Sequence, residues 1–308
     1  MSSIAAFQRN FASREHFLQW IRRLSFILPA VIFVIVMMAF PIGYNTWLSF
    51  HSWTGSALRA PEPVGFQNYT DLFTSDERFY PAVKRTVLFT VAVVTAELVL
   101  GIGIALLLRD PFPGQAIIKS LILLPMVATP VAISMVWLLM LEPTIGVFNR
   151  MLIELGLTPQ PWLGSSSQAL WVLAAVDVWQ WTPMMAMITL AGLLALPEDP
   201  YEAALVDGAN SLQSFFFITL PLLVPTLLTA LLLRSIEALK TFDIIYTMTR
   251  GGPGFATETL NTLSYVRAFE YFRMGQASAL LVVFFGIVLA VSIVFLRVRR
   301  AISIRQQT

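Results

Sequence analysis

Apolar residues run along this chain in long unbroken stretches, with neither the in-out alternation of a half-buried strand nor the narrow stripe of a helix lying on a soluble core. Six stretches, at about 24–49, 83–108, 117–141, 169–195, 217–239 and 277–298, supply the roughly 20 apolar residues that a helix needs to cross a hydrocarbon core of about 30 Å. Lipid offers no partner to unpaired backbone groups, and the runs do not alternate as barrel strands do, so the spans are predicted as helices. The expected fold is all-α, a polytopic membrane protein with six transmembrane helices over 24–298, flanked by tails 1–23 and 299–308. Pro29, Pro41, Pro125, Pro130 and Pro183 interrupt the runs. They fit kinked helices around a translocation path, and they fit ordinary kinks in lipid equally well.

Composition agrees with a membrane chain. Hydrophobic residues make up 57% and charged residues 12%, against about 25% charged in a soluble domain, and the mean hydropathy is +0.74. Arg9, Arg14, Arg22 and Arg23 precede the first span, while Arg297, Arg299, Arg300 and Arg305 follow the last. By the positive-inside tendency both termini are expected in the cytoplasm, as an even number of spans requires. Two features run against the rule: Lys84 and Arg85 fall at the outer end of the second span, and the fourth-to-fifth loop has no Lys or Arg. The net charge of +2 reflects the flanking arginines rather than a nucleic-acid partner. The first span is too long for a signal-peptide core and no small-residue cleavage site follows it, so it is expected to be retained.

Several chemistries lack material. With no cysteine and only His16 and His51, there is no disulfide, thiol nucleophile, zinc cluster or histidine-based triad to build, so no catalytic or metal site is expected. Lys84, Lys119 and Lys240 never follow a glycine, so the phosphate-binding loop core G-K-[ST] cannot be written. If ATP drives this protein, a separate subunit binds it.

The loop from Leu196 to Ser211, LPEDPYEAALVDGANS, carries the most local information. Asp199 is placed to cap a helix whose first residue is Pro200, with Glu202 three residues after the cap. Gly208 falls where that helix would end after about two turns, and Ala203, Ala204 and Ala209 keep its flank small. The residues alone allow a knob for docking or an ordinary interfacial helix. Further on, Arg234, Glu237, Lys240 and Asp243 alternate in sign at spacings of three, so they can pair along one flank. Such a ladder lines a watery solute path or emerges, self-paired, at the outer interface. Glu97 in the second span, and Asp177 beside Trp179, Gln180 and Trp181 in the fourth, are isolated polar positions. An aromatic face beside hydrogen-bonding groups suits a sugar, and the same tryptophans, with Trp137, also suit interfacial belts or packing. Trp137, Asp177, Trp179, Gln180, Glu237, Asp243 and Tyr246 are the candidate solute-path residues.

Glu202-Ala203-Ala204, Asp207-Gly208-Ala209, Phe215, Ile218 and Leu220-Pro221 resemble the EAA loop of bacterial ABC importer permeases. The segment Lys240-Thr-Phe-Asp-Ile-Ile-Tyr-Thr-Met-Thr-Arg-Gly-Gly-Pro-Gly254, followed by Ala256-Thr-Glu-Thr-Leu260, is similar to the post-EAA segment of MalF-type carbohydrate permeases, within them the six-span glycerol-phosphate, lactose and trehalose group. With Phe40-Pro41 and Gly65-Phe-x-Asn68-Tyr69 the likeness covers about 25–298. It implies the MetI-like type I importer transmembrane fold, in the cytoplasmic membrane, with a coupling loop at about 197–221. It also implies that Glu202, Ala203, Ala204, Asp207, Gly208, Ala209, Phe215, Leu220 and Pro221 dock on a cytoplasmic ATPase. The implied partners are a second permease, two ATPase subunits holding ATP and Mg, an extracytoplasmic solute-binding protein and a carbohydrate-like solute; no cofactor is implied for this chain. Two rivals from other classes make different demands. An ion-coupled secondary transporter would need coupling carboxylates and usually an internal repeat, and a membrane enzyme would need clustered reactive groups at one depth.

Overall fold

In the computed structural model the backbone is described for residues 2–305 and side chains for residues 25–301, in both cases without Ala57. Arg9, Arg14, His16, Arg22, Arg23 and Arg305 lie outside the described side chains.

Helix α1 (Ser2–Leu48) leads into a two-residue antiparallel hairpin, β1 (His51–Ser52) with β2 (Glu62–Pro63), and then α2 (Gln67–Thr74). The bundle continues through α3 (Phe79–Leu107), α4 (Gln115–Val127), α5 (Pro130–Met140), α6 (Val147–Glu154) and α7 (Ala169–Leu194). After α8 (Asp199–Val206), a rod is built from α9 (Ser211–Ser214), a π-helical turn Phe215–Thr219 and α10 (Leu220–Leu239). Then come α11 (Asp243–Thr249), α12 (Leu260–Tyr265), a second π-helical turn Val266–Glu270 and α13 (Met274–Arg305). Among the described residues four rods are long and apolar enough to cross a membrane alone, and six spans result when each of two bent pairs, α4 with α5 and α7 with α8, counts as one.

The bundle is built around α3, α7 and α10. Phe89 and Val93 of α3 meet Leu173 and Val176 of α7 and Ile244 and Ile245 of α11. Nearer the other end, Ala105 and Leu108 meet Leu190, Leu193, Leu223 and Leu227. The α3 and α7 backbones approach closely at Gly101, where an added Cβ would stand 2.8 Å from Met185 Cβ and 3.0 Å from the Ala186 nitrogen. Small residues let helix backbones approach where lipid supplies no hydrophobic drive for association. Helix α1 stays outside this core, resting on α13 through contacts that include Asn45 Nδ2 to the Ser278 carbonyl at 3.5 Å, and its apolar side chains from Phe26 to Trp47 are exposed.

The third span is not the single kinked helix that the apolar run suggests, because α4 and α5 meet at 94°. Ala128 and Thr129 are extended between them. Proline disfavours a helical residue before it, so Pro130 forces Thr129 out of the helix and opens α5 at the same time. The freed Ala128 carbonyl accepts Gln180 Nε2 at 3.4 Å. Pro29, Pro41, Pro125 and Pro183 lie inside helices that continue past them. Beyond α5, Glu142 turns the chain by accepting the Ile145 and Thr144 N–H groups at 2.6 and 2.7 Å and the Thr144 hydroxyl at 2.7 Å. These donors hold its carboxyl below the usual glutamate range.

The cap that holds α2 explains two sequence features. Asn68 Nδ2 donates to the Ser49 and His51 carbonyls at 2.8 and 3.0 Å, and Tyr69 shares a 2.6 Å hydrogen bond with Ser49, so the Gly65-Phe-x-Asn-Tyr segment ties α2 to the end of α1. Arg85, awkward for the charge rule, donates its Nε to the Glu258 carbonyl at 2.9 Å, while Arg78 pairs with the buried Glu258 carboxylate and Arg267 with Asp76. These arginines are fasteners of the cap.

Candidate functional site

Helix α8 leaves α7 at a bend of 74° and lies across the end of the bundle. Its start differs from expectation. Glu198 is the cap residue by position, and its helical backbone (φ −83°, ψ −29°) lets its carbonyl accept the N–H groups of Tyr201 and Glu202 at 2.9 and 3.2 Å. Asp199 is therefore already inside the helix and makes no side-chain cap, so the box expected between Asp199 and Glu202 does not form. A capping box does form one helix later, where Asn210 Oδ1 accepts the Gln213 N–H and Gln213 Oε1 accepts the Asn210 N–H, both at 2.9 Å.

The other end of α8 closes as expected. Gly208 is left-handed (φ +75°), its N–H reaches the Leu205 carbonyl at 3.2 Å, and the Ala209 N–H reaches the Ala204 carbonyl at 2.9 Å. This pair of bonds is the Schellman closure, which favours glycine at the left-handed position. A side chain at Gly208 would meet nothing within 4 Å, so the backbone angle and not crowding demands glycine. Ala204 is buried, Ala209 and Phe215 are half-buried, and Glu202, Ala203 and Asp207 are exposed; Leu220 and Pro221 open α10. Leu205 and Val206 are 78% and 88% exposed, an apolar tip without cover among the described residues.

A family of binding-protein-dependent transport system inner membrane components matches residues 97–305, a stretch that contains this whole loop. The chain belongs to that family. It is thus a multi-pass membrane component of a transport system and not an enzyme. It is 39% identical over 279 residues to the trehalose/maltose transport system permease protein MalF of Thermococcus litoralis, covering 89% of this chain and 92% of that one. It is 37% identical to the sulfoquinovosyl glycerol transport system permease protein SmoG of Agrobacterium fabrum, covering 88% of each. Its fold is that of a bacterial ABC transporter involved in import of the acidic polysaccharide alginate, at a TM-score of 0.80 over 93% of this chain and 99% of that one, with 21% identity. The alginate importer has also been solved in complex with a periplasmic protein bound to an alginate pentasaccharide, again at a TM-score of 0.80.

Deep in this permease the isolated polar residues find one another. Arg234 of α10 donates Nε and Nη2 to the two oxygens of Glu97 of α3 at 2.6 and 2.8 Å, and Nη2 also pairs with Asp177 of α7. The three side chains are 1%, 0% and 1% exposed. The Arg234 guanidinium carbon lies 5.3 Å from the Trp181 ring centre. One guanidinium thus joins three spans. The expected ladder is split accordingly: Arg234 turns inward, the exposed Lys240 and Glu237 pair at 2.9 Å, and Asp243 begins the separate helix α11. Sequence spacing cannot reveal this, because Arg234 prefers acids 137 and 57 residues away to the one three residues on.

A cavity of about 120 Å³ adjoins the cluster, with Asp177, Trp181, Arg234, Glu237, Lys240 and Asp243 in its wall beside Pro130 of the broken span. It gathers three of the candidate solute-path residues. The others lie elsewhere. Trp137 stacks on Phe148 and meets Trp179 edge-on, Gln180 holds the Ala128 carbonyl, and Tyr246 stacks on Phe242 and donates to Glu270 at 3.1 Å. Trp181, one of the tryptophans suited to a sugar, and Arg234 and Lys240, members of the ladder that could line a solute path, join the wall as well.

Proposed function

We propose that this permease is one of two membrane-spanning subunits of an ATP-driven importer for a sugar or sugar-like solute, which an extracytoplasmic binding protein hands to the outer face. The observation that carries the reading is α8: a short helix turned across the bundle end, closed at Gly208, with Leu205 and Val206 presented outward inside the family's matched region. Its shape and exposed apolar tip suit insertion into a cleft of an ATPase subunit, with Glu202 supplying a polar contact. Two such ATPase subunits hold ATP and Mg, and their closure drives the spans between inward- and outward-facing states as a two-state element. The termini and α8 face the cytoplasm, so that α8 meets the ATPase and the Arg78–Glu258 cap meets the binding protein.

The carbohydrate class rests on the names of the relatives, which include a trehalose/maltose and a sulfoquinovosyl glycerol permease. The cavity beside Arg234 is the part of this chain that would meet the solute: an aromatic ring, Trp181, stands among acids and bases that can bond hydroxyls. Affinity recovery of the tagged chain from gently solubilised native membranes tests the assembly. A second permease and an ATPase are expected to come with it, the complex hydrolysing ATP faster when the loaded binding protein is added. A chain that is recovered alone and transports under an ion gradient would overturn the reading.

A further inference from the structure

Helix α8 is joined to the bundle by its chain ends, at α7 and at the rod of α9 and α10, but a side-chain contact also reaches a span that is remote in sequence. The guanidinium carbon of Arg109, just past the end of α3, lies 5.1 Å from the centre of the Tyr201 ring. On the same ring, the Tyr201 hydroxyl donates to Thr219 Oγ1 at 3.0 Å, and Thr219 is buried in the π-helical turn that begins the fifth span. Thr219 Oγ1 in turn reaches back to the Ser214 carbonyl at 3.4 Å. The loop that carries Arg109 is itself fastened, with Gln115 Nε2 donating to the Leu108 and Asp110 carbonyls at 2.8 and 3.0 Å.

We propose that Arg109 and Tyr201 form a latch that makes the coupling helix move as one body with the second and fifth spans. Both are positioning residues: they act on α8, and through it on whatever α8 docks into. The proposal rests on the coupling reading of α8. Without the latch a push on α8 would be absorbed at the 74° bend after α7, since Glu198 and its neighbours form the only direct covalent route back to the fourth span. With it, the push enters α3, whose backbone is in close contact with α7 at Gly101, and so reaches the core directly. Thr219 closes the π-helical turn, and such turns recur at functional positions.

The test uses the complex recovered from membranes, with spin labels on Leu107→Cys and Asp199→Cys, the only cysteines this chain then holds. The distance distribution between them is measured before and after trapping with ATP and vanadate. With the latch intact one narrow distribution is expected in both states. Tyr201→Phe keeps the ring and loses the hydroxyl, and should raise the ratio of displaced to latched distances about five-fold, the value of one hydrogen bond. Arg109→Gln should act to a similar degree and Arg109→Lys, which keeps a cation over the ring, should restore the narrow distribution. ATPase recovery should stay at the unsubstituted level throughout, which separates a latch from a merely structural contact. Distributions indifferent to these substitutions, or loss of ATPase recovery in Tyr201→Phe, would overturn the latch. Failure of the unsubstituted chain to recover any ATPase would instead overturn the coupling reading, and the same label pair would still report whether Tyr201→Phe loosens α8.

Discussion

Arg234 lies among apolar helices with two carboxylates and almost no solvent contact, an arrangement whose worth lies in the cost of breaking it. Removing charges from water costs several kcal/mol per ion, and their mutual attraction restores this only when geometry and hydrogen bonding are good. Here Glu97 takes a two-pronged bond from the guanidinium while Asp177 Oδ1 has no hydrogen-bond partner among the described residues. Arg234→Met is expected to destabilise the permease by about 3–5 kcal/mol, because two carboxylates would be left in the interior. The triple variant with Glu97→Leu and Asp177→Leu should recover most of that loss. Thermal melting of the purified complex checks both, and an unshifted Tm for Arg234→Met would show that the cluster contributes nothing. At this scale the sequence was half legible. Glu97 and Asp177 stood out as acids inside apolar runs, but Arg234 was grouped with Glu237 because spacings of three are visible in a sequence and a pairing of three separate spans is not.

Among the elements, the end of α8 is the most legible in the sequence and its start the least. Its end follows from one residue type at one position, since only a left-handed backbone makes both bonds of the closure at Gly208. Its start depends on whether Glu198 is helical, which no side chain announces, and the capping box went to Asn210 and Gln213 instead. Gly208→Asn should keep ATPase recovery near the unsubstituted level, because asparagine tolerates the left-handed region. Gly208→Val should lower it, because a β-branched residue there is a genuine outlier. Equal recovery for both, counted by mass spectrometry, would mean that the closure does not shape the docking face. The broken third span teaches a related lesson. Pro130 marked an interruption, but the 94° turn needed Gln180 of another helix to take up the freed Ala128 carbonyl.

For the whole molecule, six spans followed from apolar run length, while orientation was obscured by arginines that serve other purposes. Arg78 and Arg85 spend their charge on Glu258 and its carbonyl, and so say nothing of which side they face. Because the chain has no cysteine, single substitutions can report sidedness cleanly. With cytoplasmic termini, Ser75→Cys should react with an impermeant maleimide on intact cells and Arg299→Cys only after lysis. The opposite pattern would turn α8 away from any cytoplasmic ATPase.

The union of Glu97 with Arg234 also sets a schedule for the chain's synthesis. The two are separated by 137 residues, and ribosomes add about 5–20 residues per second, so the glutamate is made on the order of ten seconds before its partner exists. During that interval the second span must be sheltered from lipid by the insertion machinery, or carry a proton on its carboxyl, until the fifth span arrives to claim it.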